Sequence, residues 1–83
     1  MNPRVCSVKY QQQYKLILTF SNGVVKGFDM TNYLNYQVYK KLKDPELCSN
    51  VKVLMGTVFW KDDIDFDPDT LYIESIPILE TAP

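Results

Sequence analysis

The stretch from Lys15 to Asp29 decides the fold, and it reads Lys-Leu-Ile-Leu-Thr-Phe-Ser-Asn-Gly-Val-Val-Lys-Gly-Phe-Asp. Its first half has the period of a β-strand and, with the preceding residue, places large apolar side chains on one face: Tyr14, Leu16, Leu18 and Phe20. The dipeptide Asn22-Gly23 follows, and Asn-Gly best tolerates the positive φ angles of a type I′ turn. With the β-branched return segment from Val24, the stretch predicts a β-hairpin.

Further strands are predicted on both sides of this hairpin. Three segments are rich in β-branched and aromatic residues: Val5–Tyr10, Val51–Met55 and Thr57–Trp60. Gly56 is the expected turn or bulge between the last two, which makes them a second antiparallel pair. The segment from Asp63 to Phe66 alternates acidic and apolar residues, which directs Ile64 and Phe66 inward.

Helix starts are marked twice by the same pair of residues. Asp44-Pro45 and Asp67-Pro68 each combine an N-cap aspartate with a proline at the first helical position, where the missing N–H costs nothing. The first predicts a single-turn helix to about Asn50. The second predicts a last helical turn that includes Ile76 and ends at Pro77.

The connection between the hairpin and Asp44 has a helical pattern as well. Asp29 or Thr31 can cap a short helix over Asn32–Tyr36, and the apolar stripe continues through Gln37–Lys43. The predicted fold is therefore α+β, an antiparallel sheet of hairpins with short helices packed on one face. Residues 1–76 are expected to form a single domain, and residues 77–83 a flexible C-terminal tail.

A chain of 83 residues, of which 46% are hydrophobic, is long enough for one small core. An oligomer would bury further apolar surface in so small a domain. The N-terminal Met-Asn-Pro-Arg does not resemble a signal peptide, and no apolar run approaches a membrane span. We expect a cytoplasmic protein in which Cys6 and Cys48 are reduced, buried thiols.

Charge divides sharply along the chain. Residues 1–61 carry nine basic and three acidic residues, a net charge of +6, whereas residues 62–83 carry seven acidic and no basic residues, a net charge of −7. In one interpretation the acidic segment packs beside the basic one and neutralises it. In the other, the surface is polarised and binds a basic partner or pairs head to tail.

The acidic segment has the spacing of a calcium-binding loop. Positions 1, 3, 5, 7 and 12 of an EF-hand loop would be Asp63, Asp65, Asp67, Asp69 and Glu74. The glycine that the sharp turn needs at position 6 is Pro68, however, and core-type side chains interrupt the loop. We therefore expect no metal site here and no cofactor elsewhere.

Catalytic constellations are not evident in the sequence. The chain has no histidine and only two isolated cysteines, so no nucleophile can be paired with a base. Asp62 and Asp63 could do acid–base chemistry as a pair, but on a strand they would point to opposite faces. We expect no catalytic residues and no enzymatic activity.

Interaction residues are the remaining candidates. If Trp60 is the exposed member of the pair Phe59-Trp60, it is the best interface anchor; the alternative, which we favour, is that a helix covers it. Three lysines on one helix could contact phosphate, although a solvated face is the commoner reason for such a pattern. The candidate interface residues are Trp60, Asp62, Asp63, Asp65, Asp69, Lys40, Lys41 and Lys43.

Four segments in this order resemble a small bacterial family of unknown function, the domain-of-unknown-function family numbered 2442. They are Lys15–Asp29, Leu42–Leu47, Gly56–Trp60 and Asp65–Tyr72. The resemblance implies an α+β domain encoded in small operons beside a second small protein, in arrangements like toxin–antitoxin pairs. Some members carry a C-terminal helix-turn-helix, and the residues after Tyr72 are too few to form one. The family has no established catalytic residues.

The sequence therefore predicts a non-enzymatic protein-interaction domain, whose form could be the antitoxin-like partner of a small toxin. The expected partner is another small protein encoded nearby, or a second copy of the chain. The alternative function is a nucleic-acid-binding or regulatory accessory module that uses Lys40, Lys41 and Lys43, for which binding would depend on salt.

Overall fold

Residues 2–78 are described by the computed structural model, and their strands form two antiparallel sheets. The first sheet has the strand order β1-β2-β3-β7 and the second the order β4-β5-β6. The strands are β1 (Val5–Gln11), β2 (Lys15–Phe20), β3 (Val25–Asp29), β4 (Lys52–Leu54), β5 (Thr57–Trp60), β6 (Ile64–Asp65) and β7 (Ile76–Pro77). The α+β prediction is confirmed, with the hairpins divided between two sheets.

The hairpin of β2 and β3 forms as predicted, but its turn differs. Lys15 pairs with Asp29 and Thr19 with Val25, and the Gly23 N–H donates to the Phe20 carbonyl at 2.8 Å. Within the loop only Gly23 has a positive φ, at 84°, so the type I′ prediction is wrong. A three-residue loop places its left-handed residue last, and glycine occupies that position without steric cost.

The two faces of the first sheet have different environments. Leu16, Leu18 and Phe20 are buried, which confirms the predicted inner face of β2. Lys26 also lies on the inner face, because it pairs with Leu18. Its ammonium donates to the Tyr72 carbonyl at 2.7 Å and lies 3.7 Å from the centre of the Tyr72 ring, so the charge is satisfied below the surface.

The second sheet begins with a two-residue turn. Met55 (φ 52°) and Gly56 (φ 81°) are both left-handed, which is the type I′ geometry, between the paired residues Leu54 and Thr57. Gly56 also lies against the N-terminal segment, since a Cβ built on it would be 2.8 Å from the Cβ of Arg4. Gly56 therefore satisfies a backbone requirement and a packing requirement at once.

Both predicted helix starts are confirmed. Helix α1 (Pro45–Ser49) begins after Asp44, whose side chain accepts from the Glu46 N–H at 3.0 Å. Helix α2 (Pro68–Glu74) begins after Asp67, whose side chain accepts from the Thr70 N–H at 3.0 Å. These bonds satisfy N–H groups that have no partner within the helix.

The connection between β3 and Asp44 contains two 3₁₀ helices, Thr31–Tyr33 and Gln37–Lys43, in place of the regular helices expected there. The predicted cap is wrong, because the N-cap of the first one is Met30 and no side chain caps it. The Asp29 carboxylate accepts from the Thr31 N–H at 2.9 Å, one residue before the cap position. The tighter 3₁₀ geometry is common in such short connecting pieces.

The C-terminal prediction is wrong in one respect. Helix α2 ends at Glu74, and Ile76–Pro77 forms β7 beside β3, where a last helical turn and the start of a tail had been expected. The Ile78 N–H donates to the Val25 carbonyl at 3.0 Å and continues this pairing. Pro77 is tolerated because its missing N–H would point away from β3. Residues 79–83 of the predicted tail lie outside the described residues.

Phe66 is the centre of the core. Its ring lies 5.2 Å from that of Phe28 in the first sheet and 6.0 Å from that of Trp60 in the second. It also lies 5.3 Å from the Tyr33 ring and stacks on the Tyr39 ring at 4.4 Å, so it contacts both 3₁₀ helices. The inward position predicted for Phe66 is confirmed, as is that of Ile64.

We predict that Phe66→Leu lowers the free energy of unfolding by about 2 kcal/mol, because it removes apolar contact area and four aromatic pairings. Phe59→Leu is the matched control: Phe59 lies half-buried on the outer side of the second sheet, and its replacement should cost less than about 1 kcal/mol. Urea unfolding measures both values, and equal losses would contradict the central position of Phe66.

Two glycine substitutions separate backbone strain from packing. Gly23→Ala should cost about 1 kcal/mol, because the φ of 84° is strained for alanine but the space around it is open. Gly56→Ala should cost about 2 kcal/mol or more, because the new methyl group also collides with the rigidly placed Cβ of Arg4. The difference in urea midpoint tests this, and equal costs would show that the Arg4 contact yields easily.

Candidate functional site

Trp60 does not lie on the surface. Its side chain is 2% exposed, and its indole N–H donates to the Cys48 carbonyl of α1 at 2.8 Å. The interface role that required exposure is therefore wrong for Trp60, and the alternative of a covering helix is confirmed. The preceding Phe59 takes the outer position on β5, because adjacent residues of a strand point to opposite faces.

The four candidate aspartates lie on three elements. Asp62 and Asp63 form the turn between β5 and β6, with φ angles of 67° and 61°, and Asp65 lies on β6; all three are exposed. Asp69 is half-buried on α2, where its carboxylate accepts from the side-chain amide of Asn2 at 3.4 Å. No compact acidic patch follows from these positions.

The lysine group is exposed on the second 3₁₀ helix, on the surface predicted for Lys40, Lys41 and Lys43. One of these lysines contacts the acidic segment, since the Lys41 ammonium lies 3.4 Å from the Asp62 carboxylate. Both side chains are well exposed, so this pair adds little stability. The contact agrees with the interpretation in which the acidic segment neutralises the basic one.

The EF-hand spacing has a structural explanation. The second half of the proposed loop, from Asp67 onward, is the start of α2, and the Asp67 carboxylate accepts from the backbone and hydroxyl of Thr70. Within residues 2–78, no group of three or more histidine, cysteine, aspartate or glutamate side chains is placed to hold a metal ion. Asp67 and Pro68 therefore serve as a helix start.

A groove of about 650 Å³ opens on the outer side of the first sheet, and no candidate residue had been placed there. Its floor is formed by the outward side chains of β2, β3 and β7, and one wall by the aromatic residues of the first 3₁₀ helix. The residues that line it include Lys15, Ile17, Gly27, Asp29, Tyr33, Tyr36, Glu74, Ile76 and Ile78.

The apolar floor follows from strand alternation and register. Ile17 pairs with Gly27, and Gly27 pairs with Ile76, so the three residues form one row across the outer face. Gly27 has no side chain, and the Ile78 side chain lies over it, 3.5 Å from where a Cβ would be. Ile76 is 72% exposed although it is large and apolar.

Two ionisable groups of the groove, Asp29 and Tyr33, have pKa values shifted away from neutrality. Hydrogen bonds from Thr31 lower the pKa of Asp29, and the charge of the neighbouring Lys15 adds to this shift. Burial raises the pKa of Tyr33, and the negative charge of Glu74 adds to that shift. Neither group is poised to exchange a proton near pH 7.

The two thiols differ in their environments, which corrects the expectation that both are buried. Both cysteines are free; Cys6 is exposed on β1 and Cys48 is buried in α1. Burial raises the pKa of the Cys48 thiol to about 11. Cys48 is therefore a neutral core side chain beside Met30, whose sulfur lies 4.0 Å away.

These elements define a small α+β domain with two antiparallel sheets and an open groove on one sheet face. The sequence matches the family described as "Protein of unknown function (DUF2442)" over residues 5–77, and the chain belongs to this family. No curated protein and no solved structure matches the chain. Within residues 2–78, no helix has the length and apolar character needed to cross a membrane.

The thiol environments lead to a prediction of reactivity. In native protein at about pH 8, dithiobisnitrobenzoate should modify Cys6 rapidly and Cys48 only as fast as the chain unfolds, because burial disfavours the thiolate of Cys48. Cys6→Ser should remove the fast phase and Cys48→Ser the slow one. Two fast phases in the wild-type protein would contradict the buried position.

The raised pKa of the Cys48 thiol predicts a loss of stability at high pH. The folded pKa of Cys48 is about 11 and its ordinary value is 9.0, so the unfolded chain releases this proton first. The contribution of Cys48 is therefore fully present below pH 9 and is lost as the pH rises towards 11. Cys48→Ala should flatten this part of the stability profile relative to the wild type.

Proposed function

We propose that this chain is a non-enzymatic protein-interaction domain that binds a second small protein through the outer face of its first sheet. The observation that carries the proposal is the apolar row of Ile17, Gly27 and Ile76 on the floor of the groove, in which Ile76 is 72% exposed. A soluble domain seldom leaves such a row open next to a concave surface unless a partner covers it. Tyr36, 58% exposed on the groove wall, supplies the aromatic contact that interfaces favour.

The absence of enzymatic activity is supported by the chemistry of the groove. The Asp29 carboxylate and the Tyr33 phenol have pKa values shifted away from neutrality, in the directions opposite to those that a general base or acid would need. The two thiols, which are stronger nucleophiles than these groups, lie elsewhere: Cys6 is on β1 and Cys48 is buried in α1.

The specific form of the proposal is the antitoxin-like partner of a small toxin, acting in the cytoplasm. The partner would be the small protein encoded beside this chain, as the family resemblance suggests. The alternative, nucleic-acid binding through Lys40, Lys41 and Lys43, has less support, because Lys41 contacts Asp62 and the three lysines lie together on one short 3₁₀ helix.

Co-expression with the neighbouring small protein tests the proposal. The two chains should purify together, and Ile76→Asp should weaken the complex at least about tenfold, because it places a charge in the apolar row. Ile73→Asp is the matched control: Ile73 is 64% exposed on α2 but does not line the groove, so its replacement should leave the complex intact.

Three results would contradict the proposal. They are the absence of any complex, an equal effect of Ile76→Asp and Ile73→Asp, and a shift of nucleic acid that weakens with salt and depends on the lysines. If the partner arrests growth, co-expression of the wild-type chain should restore it, and co-expression of the Ile76→Asp variant should not.

A further inference from the structure

Strand β7 brings the end of α2 to the edge of β3 at the groove. Strand β7 pairs with β3 at Lys26 and Gly27, and the Ile78 N–H donates to the Val25 carbonyl. Glu74, the last residue of α2, comes two residues before Ile76 and lines the groove together with Asp29 of β3.

Glu74 is placed where it does not serve the stability of α2. It is the last residue of the helix, where the dipole is negative, and the last turn contains no basic residue. The one ion pair within residues 2–78 joins Lys41 to Asp62, so Glu74 has no basic partner in that part of the chain. Glu74 lines the groove together with Tyr33 and Tyr36, and its negative charge adds to burial in raising the pKa of Tyr33.

The aromatic wall has the geometry that attracts a cation. The rings of Tyr33 and Tyr36 meet edge to face, with centroids 6.0 Å apart and an angle of 76°. An aromatic pair beside one carboxylate is a combination that holds an ammonium or guanidinium group by charge and cation–π attraction. Lys15 pairs with Asp29 across the first sheet, and its charge adds to the hydrogen bonds from Thr31 in lowering the pKa of Asp29.

We propose that the groove binds an extended segment of the partner protein with one arginine or lysine side chain between Tyr33, Tyr36 and Glu74. The segment lies across the outer face of the first sheet, with its apolar side chains on Ile17 and Ile76. The apolar row then supplies contact area, and the cation site supplies specificity. The inference rests on the proposed function, because it names how the partner is held.

Two blocked pentapeptides serve as probes: acetyl-Thr-Val-Arg-Val-Thr-amide and the same peptide with citrulline in place of arginine. Citrulline keeps the shape and removes the charge. Titrations followed by amide proton and nitrogen chemical shifts should move the signals of Gly27, Asp29 and Ile76. The citrulline peptide should bind at least about fivefold more weakly, the loss expected for one charged and cation–π contact.

A pair of variants assigns this difference to Glu74. Glu74→Gln should reduce binding of the arginine peptide by the same factor and leave the citrulline peptide unchanged, which closes a double-mutant cycle. The melting temperature of Glu74→Gln should be equal to or above that of the wild type, because the carboxylate opposes the helix dipole. Asp63→Asn, a neutralisation of an exposed carboxylate outside the groove, should affect neither peptide.

Equal affinity of the two peptides, shifts that map outside the groove, or no shifts at several millimolar peptide would overturn the inference. So would a dimer of this chain whose groove signals change on dilution, since the occupant would then be a second copy. The two variants distinguish a failure of this inference from a failure of the proposed function. If Ile76→Asp releases the partner protein but Glu74→Gln does not, the interaction domain stands and the cation site does not.

Discussion

The packing of Phe66 against four aromatic rings is the contact on which the rest of the structure depends. Neither sheet could bury its inner face alone. The second sheet has only three short strands, and the inner face of the first sheet needs a second layer to cover it. Phe66 contacts Phe28 in one sheet and Trp60 in the other, and so joins them. It follows β6 directly and precedes the N-cap of α2, so the same short segment sets the position of both elements.

The core contact extends to the surface through Tyr33. The Tyr33 ring packs against the rings of Phe66 and Phe28, and it also meets that of Tyr36 at the groove. A side chain held on two sides in this way has few rotamers left to lose when a ligand binds, which lowers the entropic cost of binding. The rigidity of the wall is therefore a consequence of how the two sheets are joined.

Local features were predictable from the sequence, and features that depend on distant partners were not. The hairpin, both aspartate-proline helix starts and the inward side chains Ile64 and Phe66 follow from alternation and capping, which act within a few residues. The burial of Trp60 could not be decided, because a strand's period says which residues share a face but not which face a helix covers. Strand β7 has only two residues, and its pairing partner lies far away in sequence. The groove needs β7 as part of its floor, and none of the candidate residues lies in it.

Consecutive residues of β3 connect the core to the groove. Lys26 points inward, where its ammonium donates to the Tyr72 carbonyl and so ties α2 to the first sheet. Gly27 points outward and leaves the space that the Ile78 side chain occupies. Helix α2 leads through Ser75 into β7, so the hydrogen bond from Lys26 to the Tyr72 carbonyl also fixes the positions of Glu74 and Ile76. Strand β3 pairs with β2 on one side and with β7 on the other, and a buried lysine in such a strand would ordinarily lower its stability. Here Lys26 instead holds α2, whose last residue, Glu74, supplies a charge of the groove.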